Sequence, residues 1–188
     1  MPDQRTNLGM QIGGMRIGHG YDLHRLEPVD PGAGSNRGGR PLVLAGVRID
    51  SPIGPVGHSD GDALFHAITD ALLGALGMDD IGTLFPDDDS ANDGRASIDF
   101  VKEAMRRVRG AGYGVGNLDC TVILEHPRLK SRRTELREAI ANALEIGVDR
   151  VNVKGKSHEG LDAIGEGRAI EVHAMVLLVS DGVVGGND

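Results

Sequence analysis

"HSDGDALFHAITDAL" (residues 58–72) sets two histidines and three aspartates into a segment that otherwise reads as core. Leu64, Ile68, Leu72 and Ala75 recur at helical spacing and predict an amphipathic helix with a buried stripe. Asp62, His66 and Asp70 fall at i, i+4 and i+8, so they share a second stripe of the same helix. Ser59 or Asp60 is expected to cap it, with Ser59 and Asp62 at capping-box spacing.

Upstream, "MRIGHGYD" (15–22) predicts a short strand ending at a polar turn, followed by Leu23 and His24. Asp22 and His24 are two apart, and at strand spacing residues i and i+2 face one side. The Gly- and Pro-rich stretch 27–41 reads as a surface loop, and "LVLAGVRI" (42–49) as one or two short strands broken near Gly46. Downstream, 79–90 reads as an acidic loop and 97–112 as a helix stopped by glycine. A strand is expected over 118–125, and a helix over 131–147 with Leu136, Ile140 and Leu144 on its apolar face. Strands follow over 150–154 and 169–179. Residues 1–14 read as a disordered extension and 181–188 as a loose tail, leaving 15–180 as a single domain. Helices and strands intermix without strict alternation, which predicts an α+β fold.

The 188 residues are 39% hydrophobic but only 3% aromatic, so the core must be built from Ala, Val, Ile and Leu. No apolar run reaches the roughly 18 residues of a membrane span, and the start of the chain shows no apolar targeting segment. The single cysteine, Cys120, fits a reducing cytoplasm and reads as a small buried hydrophobe. A net charge of -8 argues against general nucleic-acid binding. It also requires any anionic substrate to be held by local cations or metal ions.

Asp22, His24 and His66 would make a three-ligand set with a fourth position open, as in catalytic zinc sites. From spacing alone, His58, Asp60 and Asp62 compete with His66 as partners, and His66 alone reads more readily as a hydrogen-bonded structural histidine than as a ligand. Asp60 and Asp62 would also suit a helix start, and Asp70 is expected to be solvated or paired with a base. Asp87, Asp88 and Asp89 form either a solvated loop or a magnesium- or hydroxyl-binding one. "VKGKSHEG" (153–160) brings Lys154, Lys156, Ser157, His158 and Glu159 together; phosphate and a hard cation would suit them, as would a plain basic turn. His19, His126 and His173 carry ordinary structural readings, with His173 packed against the core or a neighbouring subunit.

The chain resembles the 2-C-methyl-D-erythritol 2,4-cyclodiphosphate synthase family of the non-mevalonate isoprenoid pathway. The resemblance runs in order through "RIGHGYDLHRL" (16–26), "HSDGDALFHAITDALLGALGMDDIGTLFPDDD" (58–89), "GNLDCTVILEHPRL" (116–129) and "VNVKGKSHEGL" (151–161). It implies a small mixed sheet with helices packed on one face, in a homotrimer with active sites between subunits. It implies zinc on Asp22, His24 and His66, with Leu23 among the substrate contacts. His58 and Ser59 match substrate-contacting positions, with a transition-state role for His58. Asp80, Ile81, Gly82, Phe85, Pro86, Asp87, Asp88 and Asp89 match the segment holding the methylerythritol part. Leu124, Glu125, His126, Pro127, Arg128, Leu129 and Lys130 match the cytidine pocket. Lys156, Ser157, His158 and Glu159 match the nucleotide and diphosphate segment, with a transition-state role for Ser157 and a second ion, magnesium or manganese, on Glu159.

The implied reaction is an intramolecular phosphoryl transfer by a cytoplasmic enzyme. The 2-phosphate of 4-diphosphocytidyl-2-C-methyl-D-erythritol 2-phosphate attacks the β-phosphorus, giving the cyclic diphosphate and CMP. The nucleophile is already ionised, so neither a nucleophilic side chain nor a strong base is required. Two departures stand out: Ala163 where the family often has phenylalanine, and Glu166 where it often has arginine, with Arg168 two residues on. A metal-dependent phosphohydrolase is the rival enzymatic reading. A trimeric module that binds metal or isoprenoid diphosphate without catalysis is the non-enzymatic one.

Overall fold

The structure, a computed structural model, describes residues 14–30, 38–56, 60–85 and 96–180. His58, Ser59, Pro86, Asp87, Asp88 and Asp89 lie outside these, as do nearly all of the expected 1–14 extension, the middle of the 27–41 loop and the tail 181–188.

Five strands form one mixed sheet: β1 (Met15–Pro28), β4 (Ile53–Pro55), β5 (Tyr113–Ile123), β6 (Val151–Lys156) and β7 (Ala169–Ser180), in the order β4-β1-β7-β5-β6. β2 (Val43–Leu44) and β3 (Val47–Arg48) make a separate hairpin. Its turn holds Ala45 and Gly46 at φ of 51° and 74°, which accounts for the predicted break at Gly46. α1 (Ala63–Ala75), α3 (Ser97–Gly110) and α4 (Arg133–Leu144) are the long helices. α2 (Ile81–Leu84) and α5 (Asp162–Gly165) are single turns, the former inside the segment expected to be loop. β5 and β6 pair in parallel, with α4 between them in sequence; the other pairings in this sheet are antiparallel. The architecture is α+β, as the intermixed elements predict.

β1 is longer than its sequence pattern suggests. Pairing with β7 runs unbroken from Met15↔Val179 to Arg25↔Ala169 and carries the chain straight through the expected turn at Asp22. A polar Asp-Leu-His stretch reads as a loop by itself, but a full-length neighbouring strand satisfies its backbone. β5 likewise starts five residues before the expected strand, its pairing with β7 continuing past a bulge between Val115 and Asn117.

One face of the sheet carries the core. Leu118, Cys120 and Val122 on β5, Val151 and Val153 on β6, and Val172, Ala174, Val176 and Leu178 on β7 are all buried on it. Gly18 and Gly20 occupy the same face of β1, against α1. Built onto Gly18, a Cβ would lie 1.9 Å from the Ala71 carbonyl oxygen; onto Gly20, 1.8 Å from that of Ala67. Strand and helix backbones therefore touch directly, which is why only glycine fits. The other face exposes Ile17, Tyr21, Leu23 and Met175.

α1 is buried almost all round, and its least covered stripe runs through His66, Asp70 and Gly74. Asp62, not Ser59 or Asp60, is the N-cap, accepting the Phe65 N–H at 3.0 Å. Its carboxylate also accepts the Ala45 and Gly46 N–H groups at 2.9 and 2.7 Å, tying the β2–β3 hairpin to the helix start. Complete burial outweighs these donors and pushes its pKa up to about 6. Asp70 was expected to be solvated or paired with a base; it accepts the Ile81 N–H at 2.8 Å and anchors α2.

A paired substitution tests the strand–helix contact. Gly20→Ala should destabilise the protein by more than about 3 kcal/mol in urea unfolding, because backbone must move. Gly74→Ala, in the last turn of α1 and meeting nothing closer than 3.7 Å, should stabilise it by about 0.5–1 kcal/mol.

Candidate metal centre

The strand–helix contact sets the position of three metal-ligand side chains. Gly18 lies against Ala71 and Gly20 against Ala67, so β1 and α1 run antiparallel. Two strand residues advance about 6.7 Å and four helical residues about 6 Å, so the next inward positions, Asp22 and His24, arrive beside the start of α1 and His66. There Asp22 Oδ2 lies 2.7 Å from His24 Nε2 and 3.1 Å from His66 Nδ1. The two ring nitrogens are 3.3 Å apart. Donor atoms on a tetrahedral zinc-sized ion, with bonds of about 2.0–2.1 Å, stand roughly 3.3 Å apart. The three converging atoms, one carboxylate oxygen and two imidazole nitrogens, therefore fit one divalent metal ion and leave a fourth direction open. Among the described residues this is the one such cluster of three.

The electrostatics match a cation site. Burial raises the Asp22 pKa, but hydrogen bonds from His24 and His66 and their charge outweigh it and hold the carboxyl at about 2. Burial lowers the His66 pKa; the hydrogen bond and charge of Asp22, with Asp62 and Asp60 nearby, reverse this and raise it above 6.5. The second oxygen of Asp22 accepts the Leu23 N–H at 3.0 Å, leaving Oδ2 for the cluster. Phe100 lies 6.0 Å from the His66 ring and 4.6 Å from Phe85, centroid to centroid, which places Phe85 on the apolar wall behind the centre.

Behind His66 stand two residues whose connection is not legible in the sequence. Ser97, the first residue of α3, places its Oγ 2.8 Å from His66 Nε2 and against a carboxylate oxygen of Asp60. Asp60 thus serves α3 and the metal cluster rather than capping α1. Ser97 carries no sequence signal, because 37 residues separate it from Asp60.

A second feature is a cavity of about 370 Å³ lined by Leu124, Arg128, Leu129, Lys130 and Lys156, together with Val122, Arg133 and Gly155. Arg133 went unassigned in the sequence, since α4 read there as an ordinary helix start. Glu125, His126 and Pro127 do not line it. Val122, Leu124 and Leu129 give apolar wall, and four cations surround it. Of these, only Arg128 has an acidic partner among the described residues, Glu125 at 3.9 Å. The cavity suits an anion with an apolar portion.

Ser157 donates to Glu159 at 3.2 Å just past β6, while His158 pairs with Asp162 at 2.8 Å. Lys154 is paired with Asp119 at 2.6 Å, so it is not a free phosphate-binding cation. Asp80 caps α2 through the Thr83 N–H, with Ile81 and Gly82 in that turn. His173 is neither in the core nor isolated: it stacks beside His19 on the open sheet face and contacts Glu171 at 2.8 Å. Glu166 pairs with Arg168, which lines a second cavity of about 710 Å³ with Ala163, Leu23 and Arg25. The metal cluster and the cationic cavity share no lining residue. β1 and β6 are three strand spacings apart, about 14 Å.

The profile of the YgbB family matches residues 15–179. The chain is 45% identical over 164 residues to the Arabidopsis thaliana protein named 2-C-methyl-D-erythritol 2,4-cyclodiphosphate synthase, chloroplastic, covering 87% of this chain and 67% of that one. It is 46% identical over 165 residues to a Trichlorobacter lovleyi protein named 2-C-methyl-D-erythritol 2,4-cyclodiphosphate synthase, covering 88% of this chain and 99% of that one. Among solved structures, it is similar to one described as IspF (Plasmodium falciparum) CDP complex, with a TM-score of 0.75 and 38% identity. That match covers 89% of this chain and 97% of the other.

The pKa directions set a pH test of the cluster. In metal-free protein, Asp22's contribution to stability is present above its unfolded value of about 3.9 and lost as pH falls toward 2. His66's contribution is present below 6.5 and lost as pH rises through its raised value. Chelated protein should therefore melt lower at about pH 8.5 than at about pH 6. Added zinc should raise the melting temperature more at the higher pH, because its ligands must be deprotonated. An equal zinc effect at both pH values would show that these groups do not bind it.

Proposed function

The chain belongs to the YgbB family, shared with enzymes named 2-C-methyl-D-erythritol 2,4-cyclodiphosphate synthase, and on that premise we propose how its residues carry out the cyclisation. It is an enzyme of that synthase class. The proposed substrate is 4-diphosphocytidyl-2-C-methyl-D-erythritol 2-phosphate, cyclised with release of CMP. The observation that carries this reading is the convergence of Asp22, His24 and His66, from two elements 42 to 44 residues apart, onto one ion-sized point.

Zinc is the proposed ion, because two imidazoles and one carboxylate with an open position suit it. Held there, it would supply Lewis-acid polarisation of a phosphate oxygen. The remaining chemistry belongs to the chain. Arg128, Lys130, Arg133 and Lys156 would hold the nucleotide end, with Val122, Leu124 and Leu129 against its apolar part. The Ser157 hydroxyl and His58 would donate to oxygens whose charge grows in the transition state. Glu159 would hold a second ion, magnesium or manganese, beside the diphosphate. Asp80, Ile81 and Gly82, with the 85–89 segment, would hold the methylerythritol part. The enzyme's task is to fold one molecule back on itself, so positioning and charge neutralisation replace nucleophilic catalysis.

Two features favour a site completed by another copy of the chain. The cationic cavity and the metal cluster lie across the sheet from each other, and the open face exposes Ile17 at 69%, Leu23 at 51% and Met175 at 51%. Exposed apolar side chains on this open face suit a partner subunit. We propose the homotrimer, with residues 15–180 as its single catalytic domain, acting in the cytoplasm. No described helix is long and apolar enough to cross a membrane.

Phosphorus NMR of the protein with this substrate, zinc and magnesium is expected to show the paired signals of a cyclic diphosphate with CMP. A linear phosphate would mark a phosphohydrolase; unchanged substrate with zinc bound would mark a binding module. His66→Ala should remove tightly bound zinc and activity together. Ser157→Ala should lower kcat by about 10²–10³-fold with little change in KM, as for loss of one transition-state donor. A pure KM effect would make Ser157 a binding residue.

A further inference from the structure

We propose that Ser97 and Asp60 are positioning residues that dictate which nitrogen of His66 binds the metal. This deepens the metal-centre reading and rests on it. The Ser97 backbone N–H, a fixed donor, meets Asp60 Oδ2 at 2.8 Å. The Ser97 hydroxyl contacts Asp60 Oδ1, which also accepts the Asp62 N–H at 3.2 Å. A carboxylate can only accept, so the hydroxyl proton points to Asp60. What the hydroxyl then offers His66 is a lone pair. His66 Nε2, at 2.8 Å, must therefore carry the ring proton and donate it.

That assignment leaves His66 Nδ1 bare, and Nδ1 is the atom facing Asp22 Oδ2 and His24 Nε2. Ser97 is 0% exposed, so its hydroxyl is confined to these two partners. The path from Asp60 through Ser97 to His66 thus sets both the orientation of the ring and its donor atom. An outer carboxylate usually does this directly; here a hydroxyl relays it. The relay also ties the start of α3 to the metal centre, since Asp60 accepts the first amide of that helix.

The experiment compares zinc dissociation constants, by chelator competition, with the nitrogen-15 imidazole spectrum of the zinc-loaded full chain. The native protein should show a slowly exchanging His66 Nε2–H. Ser97→Ala should weaken zinc binding about 10–100-fold and speed exchange of that proton. Asp60→Asn is the sharper test. Of the two backbone donors on Asp60, the Ser97 N–H at 2.8 Å is nearer than the Asp62 N–H at 3.2 Å, so the amide oxygen stays on the Ser97 N–H, and the NH₂ group faces the hydroxyl and turns its proton onto His66 Nε2. The ring must then carry its proton on Nδ1, and zinc should bind more weakly than in Ser97→Ala. A residue that merely capped α3 would not produce this order, because the cap survives in Asn. Ser97→Thr, which keeps the hydroxyl, should restore both signals. Native zinc affinity and an unchanged Nε2–H in Ser97→Ala and Asp60→Asn would overturn the inference. If His66→Ala also left zinc bound, the metal-centre reading itself would fall.

Discussion

The structure depends on backbone meeting backbone where β1 crosses α1. At Gly18 and Gly20 there is no room for a methyl group before the carbonyls of Ala71 and Ala67. A larger residue at either place would push strand and helix apart by the width of a side chain. Asp22, His24 and His66 would then no longer fall within 3.3 Å of one another. The same contact explains a core made of small and aliphatic residues. Close approach replaces the volume that aromatic side chains would otherwise fill, in a chain with only 3% of them.

Around that contact the polar groups form a graded system. Asp62 is wholly buried and spends its lone pairs on three backbone amides, fixing the hairpin and the start of α1. Asp60 is only partly buried and serves α3 through Ser97. Asp22 faces the histidines. Three aspartates around the start of α1 thus do three different jobs, decided by what each meets. Charge is divided as well: the chain carries -8 overall, yet four cations ring one cavity. Local fields, not the global one, set what that cavity attracts.

At Ala163 and Glu166, where the resemblance implies departures from the family pattern, the surroundings are local. Glu166 pairs with Arg168, two residues on. Ala163 leaves space rather than a side chain in the cavity that Arg168 lines. Neither change touches the metal cluster or the cationic cavity.

The sequence by itself determined that the 58–72 stretch forms a helix with a buried stripe, though not where that helix is capped, together with the α+β class and the candidate ligands, because these follow from spacing within one element. It left His58, Asp60 and Asp62 as rivals to His66; the family resemblance, not the spacing, selected the set. The expected turn at Asp22 was really strand, because pairing with β7 supplies hydrogen bonds that no local pattern records. Ser97, Arg133 and the anchoring of α2 by Asp70 were invisible for the same reason: each acts on a partner distant in the chain. Only the tertiary structure decided which aspartate caps α1 and which meets α3 through Ser97. Those roles depend on backbone amides and side chains that folding brings within 3 Å, and sequence order holds no distance.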